Sequence, residues 1–194
     1  MIRFIVGTVI LYHALAYSAQ AATSFDFSNL GGADEALSWN VLSADGSITV
    51  SLSAPDGELG ATDLSGFGVR SAGSVARPLA NNEVLRVDFN TTVNLGVISL
   101  AQWDSIDQIS LTDSNEGVAL ILNGDTCLTC SEESFTIDLI GIDYLELKGI
   151  SATTSVFLLG FSEVTIVPVP AAAWLFGSAL LALVSLGYKR GLAS

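Results

Sequence analysis

The sequence predicts an all-β, antiparallel fold of the sandwich or jelly-roll kind, set between an N-terminal signal peptide and a single C-terminal transmembrane helix. Three observations lead there. Apolar and polar residues alternate in several short runs, which gives each strand one buried and one wet face. Turn clusters punctuate those runs about every ten residues, the spacing of sandwiches. The long uncharged apolar stretches are confined to the two ends of the 194-residue chain.

The first element, residues 1–21, reads as a secretory signal peptide. Arg3 supplies a minimal positive start, an apolar stretch follows, and Ala19-Gln20-Ala21 forms the small-x-small site that signal peptidase needs. An uncleaved N-terminal anchor is the other reading, and an apolar stretch broken by His13 favours cleavage.

Residues 23–166 form the exported domain. In SITVSL, Ile48, Val50 and Leu52 share a face; in EVLRVDF, Leu85, Val87 and Phe89 do; in SFTIDLI, Phe135, Ile137 and Leu139 do. Shorter candidate strands are SFDF, NLGVISL, QISLT, GVALIL, DYLELKG, SVFLLG and EVTI. ADG at Ala44, APDG at Ala54, ANN at Ala80, DSNEG at Asp113 and NGD at Asn123 are the turns between them. No helical periodicity of useful length precedes the C-terminal run, and a domain of this length has room for one core.

All 20 acidic residues fall in this domain, against the four basic residues Arg70, Arg77, Arg86 and Lys148, for a net charge of −16. That balance excludes nucleic acid, whose binding depends on Lys and Arg displacing counterions. It also opposes adsorption to anionic lipid. The only histidine, His13, lies in the signal peptide, so the exported domain lacks the usual base for a Ser or Cys nucleophile. Paired carboxylates could serve a glycosidase, but with this many acids chance pairs carry no information. The domain is therefore expected not to be an enzyme and to need no cofactor.

Three weaker features remain. Cys127 and Cys130 stand in a C-x-x-C spacing. In an exported chain a local disulfide is the natural reading, beside free or redox-active thiols and a metal site completed by carboxylates. Asp113 and Asn115 open like a calcium loop, yet Gly117 takes the third ligand position and Gly124 stands where the bidentate glutamate belongs. A calcium site assembled from separate loops would draw on Asp104, Asp107 and Asp113, which otherwise read as solvated turn acids. Trp39 and Trp103 could stack on sugar rings, or pack in the core as sandwich tryptophans commonly do. A carbohydrate-binding module, assisted by calcium, is thus the alternative to a structural surface protein, with exopolysaccharide as the partner.

Residues 167–194 form the most specific segment. The proline motif Val167-Pro168-Val169-Pro170-Ala171 holds the chain extended, because proline fixes its own backbone and restricts the residue before it. Residues 171–188 are uncharged and span about 27 Å as a helix, close to a bilayer's apolar thickness. The basic tail, 189–194, opens with Lys189-Arg190, which orients it to the cytoplasm.

Proline motif, apolar span and basic tail in this order resemble the PEP-CTERM sorting domains, in particular the variant whose motif reads VPLPA. Val169 replaces the usual Leu, and the tail carries two basic residues rather than a larger cluster. The resemblance covers about 25 residues and implies a Gram-negative host. It implies recognition by an exosortase, a membrane-embedded cysteine transpeptidase, with cutting near the proline motif. The protein would be anchored transiently in the inner membrane, then released to the cell surface or the extracellular matrix. The exported part is also loosely similar to the β-sandwich domains common among such proteins.

Overall fold

In the computed structural model the described residues are 21–28, 36–62, 66–70, 78–115, 120–124, 132–168 and 178–179. The chain divides into two compact units, one running Ala21–Val167 and the other joining Met1–Gln20 to Pro168–Ser194. In the second unit Ser178 and Ala179 are helical. Among the described residues no helix is long and apolar enough to cross a membrane. The expected signal peptide, proline motif, span and basic tail lie outside the described residues, apart from Ala21, Val167, Pro168 and this helical pair.

The unit Ala21–Val167 is all-β and antiparallel. Its described strands are β1 (Thr23–Asp26), β2 (Ser38–Leu42), β3 (Thr49–Ser53), β4 (Glu58–Thr62), β5 (Gly66–Arg70) and β6 (Leu79–Ala80). Then come β7 (Val84–Ala101), β8 (Gln108–Asp113), β9 (Leu120–Asn123), β10 (Glu132–Gly149) and β11 (Ser155–Ile166).

Pairing along β7 explains how one sheet makes two layers. One edge of β7 pairs with β10 nearly throughout its length. The other edge pairs with β3 over Arg86–Phe89 and with β11 over Val93–Ala101. The first half of β7 therefore belongs to a layer ordered β2-β3-β7-β10-β8-β9. Its second half belongs to a layer of β10, β7 and β11, whose outer edge is shared by β1, β5 and β6, with β4 beyond β5.

The sheet curls where β7 and β10 change layers. Between Thr136 and Tyr144 the register slips three times, and Asp138 (φ 46°) and Gly141 (φ 65°) enter the left-handed region. Extra residues of this kind bend a strand and leave backbone groups unpaired. Side chains satisfy them here. Asn94 Oδ1 accepts from the Gly141 N–H at 3.0 Å, and Asn115 Nδ2 donates to the Ile140 carbonyl at 2.9 Å. The Asp143 N–H donates to Ser114 Oγ at 2.8 Å, and Thr92 Oγ1 donates to Asp143 Oδ1 at 2.6 Å.

The core lies between the layers. Ile48, Val50, Leu52, Leu85, Val87 and Phe89 are buried as the alternation requires; Ile137 is buried, and Phe135 and Leu139 pack partly buried against the core. Phe89 meets Phe25 and Phe161 across the interior at 6.4 and 6.0 Å between ring centres. Phe27 extends this group, standing edge-on to Phe67 at 5.9 Å and to Phe161 at 5.6 Å. Aromatic pairs prefer such tilted contacts, which hold the two layers in one relative position.

Candidate functional site

The residues nominated from sequence do not converge. Trp103 is 0 % exposed and stands edge-on to Phe135 at 5.1 Å. It is a core residue with no ring face left for a sugar, which corrects its reading as a binding platform. Its apolar packing comes with a buried Nε1 that finds no hydrogen-bond partner among the described residues. Trp39, on β2, shares the inward side of that strand with Val41 and packs half-buried against the core.

Asp104 and Asp107 share the turn before β8, and the length of β8 separates Asp113 from them. Asp107 is buried, and both its oxygens accept from backbone amides: Ser155 N–H at 3.0 Å and Asp104 N–H at 2.8 Å. Burial raises its pKa against the opposing pull of those amides. The Asp104 carboxylate caps the same turn, accepting from the Ile106 N–H at 2.9 Å. Asp113 stands at the far end of β8, on the order of 20 Å along the strand, and accepts from the Asn115 N–H at 2.8 Å. Among the described residues no three His, Cys, Asp or Glu side chains are grouped to hold a metal. Cys127 and Cys130 lie outside the described residues.

Two polar surfaces emerge from the strand register instead. One is the outer face of the layer holding β3, the first half of β7 and the end of β10. Arg86 pairs across the strands with Glu146 and Ser53, and Asp88 with Tyr144 and Ser51. Arg86 donates from Nε and Nη2 to Asp88 and from Nη1 to Glu146 at 2.9 Å, while its guanidinium lies 3.9 Å above the Tyr144 ring. Hydrogen bonds to Asp88 come first, with those to Glu146 after, in raising its pKa still further. The cation and the two carboxylates satisfy one another, so this patch acts as a cross-strand strut.

The second surface runs along β1 and β11. A groove of about 300 Å³ is lined by Ser24, Asp26, Ser28, Ser99, Gly160 and Ser162, among others. Register explains the gathering: Asp26 stands opposite Gly160, Gly160 opposite Ser99, and Ser99 opposite Ser134. A Cβ on Gly160 would collide with the Phe25 carbonyl oxygen, so only glycine lets β1 close over β11 to form the wall. Asp26 is oriented by Ser28, whose N–H and hydroxyl donate to Oδ1 at 2.9 and 2.6 Å. The Ser28 hydroxyl and amide hold the Asp26 pKa below the ordinary carboxylate value.

A neighbouring cavity of about 420 Å³ shares Ser24 and adds Thr23, Asp45 and Glu163. There Asp45 Oδ1 accepts from the hydroxyls of Ser43, Ser47 and Thr23 at 2.7, 2.8 and 2.9 Å, closing the turn between β2 and β3. None of the groove's serines was singled out from sequence, because they are brought together only by pairing across strands far apart in the chain.

Fold and surface define the class, an antiparallel β-sandwich with a shallow hydroxyl-lined groove. No protein-family model matches the chain, and no curated protein does. Among solved structures it is similar to the low-affinity xylan-binding module CBM86 from Roseburia intestinalis, at 14 % identity and a TM-score of 0.33 over 75 % of this chain and 97 % of that one. It is also similar to GH31 CBM32-2 bound to GalNAc, at 10 % identity and a TM-score of 0.31 over 78 % and 100 % of the two chains. A Streptococcus pneumoniae fucose-binding module matches at 14 % identity and a TM-score of 0.30 over 77 % and 92 %.

Proposed function

We propose that this chain is an exported, non-catalytic β-sandwich protein, delivered to the cell surface or extracellular matrix by an exosortase acting on its C-terminal segment. The observation that carries the reading is where the folded unit stops. It begins at Ala21, the last residue of the small-x-small site, and its first strand starts at Thr23. It ends at Val167, whose N–H donates to the Thr92 carbonyl at 2.9 Å, and Pro168 follows at once. Cuts after Ala21 and within the proline motif would each fall at a boundary of the fold. Neither would remove a core side chain. Pro168 and Pro170 would hold the substrate extended for the transpeptidase, while Lys189 and Arg190 keep the tail on the cytoplasmic side.

The test is a Pro168→Ala/Pro170→Ala variant expressed in a host with an exosortase. The expected result is accumulation of unprocessed protein in the inner-membrane fraction, with wild type in the surface or matrix fraction. Equal delivery of both proteins would contradict the proposal.

A second reading concerns what the domain does once delivered. Carbohydrate binding is favoured by the β1–β11 groove, whose polar lining is dominated by hydroxyls and contains no basic side chain. This binding would need neither the buried Trp103 nor a calcium ion.

A further inference from the structure

We infer that the β1–β11 groove is a saccharide subsite that takes a neutral, uncharged glycan, with Ser24, Asp26, Ser99 and Ser162 as its reading groups. The inference rests on the carbohydrate reading above and adds to it a place and a ligand class.

Three features support the choice of place. The groove has a volume of about 300 Å³, at the lower end of the range that holds small-molecule ligands, roughly 300–1,000 Å³. Its hydroxyls are available: Ser24 and Ser162 make no side-chain hydrogen bond among the described residues, and Ser99 bonds only the neighbouring hydroxyl of Ser134 at 2.8 Å. Its carboxylate is preset. The Ser28 bonds to Asp26 both fall on Oδ1, leaving Oδ2 to accept from a ligand. The Arg86 strut offers the opposite case, since its charged groups are already consumed by one another.

The ligand class follows from the donor and acceptor inventory. A serine hydroxyl both donates and accepts, as a sugar hydroxyl does, and a carboxylate accepts from two adjacent hydroxyls. An anionic polymer would meet Asp26 on a domain of net charge −16 with no cation in the lining to offset it. A basic peptide would call for several carboxylates, and the groove offers one among four serines.

The experiment is affinity electrophoresis of the full chain in detergent, through gels containing a neutral glucan, a neutral xylan, polygalacturonate or chitosan. Wild type is compared with Ser24→Ala/Ser162→Ala, a pair of changes on half-exposed positions that leaves the core intact. The expected result is retardation by a neutral glycan, with the double variant about tenfold weaker, near threefold for each lost hydrogen bond. Retardation of wild type and variant alike would overturn the assignment of the groove and leave the carbohydrate reading standing. No retardation by any of the four polymers would overturn both. Retardation only by polygalacturonate or only by chitosan would overturn the neutral ligand class.

Discussion

Asp45 and Asp107 show how the same side chain serves opposite ends in this fold. Asp45, on the surface, is surrounded by donors; the Ser43 hydroxyl leads in lowering its pKa, followed by the amide and hydroxyl of Ser47. Asp107 is buried, and burial raises its pKa despite two amide donors. A carboxylate depressed in the folded state adds stability above its unfolded pKa, and that contribution is lost as pH falls through the folded value. For a raised carboxylate the stabilising contribution is present below the unfolded pKa and lost as pH rises through the folded one. Urea midpoints of wild type and Asp45→Ala should therefore differ by a constant amount above about pH 5, begin to approach one another as pH falls below about 4, and meet only in strong acid. A difference that persisted unchanged into strong acid would contradict the role given to Asp45.

Trp103 belongs to this scale too. Its neighbours in AQWDS allowed either a rim or a core position, and only packing against Phe135 decides for the core. Truncation to alanine should cost about 3–5 kcal/mol of stability by urea denaturation, as for other buried Trp residues. A cost below about 1 kcal/mol would show that the ring is not a core element.

At the scale of elements, alternation made the inward faces of β3, β7 and β10 legible, since period two needs no tertiary information. It did not reveal that NLGVISL continues EVLRVDF as β7, or that DYLELKG continues SFTIDLI as β10. EVTI likewise continues SVFLLG in β11. The polar residues at 90–92 and the Ile140-Gly141 step read as interruptions. In the fold they are bends, where register slips and side chains take over the freed backbone groups. β4 and β5 escaped the sequence pattern because their glycines, Gly60, Gly66 and Gly68, break the alternation. Removing the Asn94 side chain leaves the Gly141 amide without its acceptor. Asn94→Ala should lower stability by about 1–3 kcal/mol in urea denaturation, and an unchanged midpoint would show that the bend stands without it.

At the scale of the whole molecule, the proposed delivery rests on a short contiguous string, VPVPAAAW, which needs no fold to be read. A groove is assembled by register from Ser24 and Asp26 at one end of the chain and Ser99 and Ser162 much further along, so composition alone does not disclose it. The folded unit Ala21–Val167 fits between the two expected cuts, which joins the account of the fold to the account of its delivery. Intact-mass spectrometry of the protein recovered from the envelope and matrix of its host tests that junction most directly. The account predicts a chain that begins at Ala22 and ends within or just beyond Val167–Ala171. A chain still carrying residues through Ser194 would contradict it.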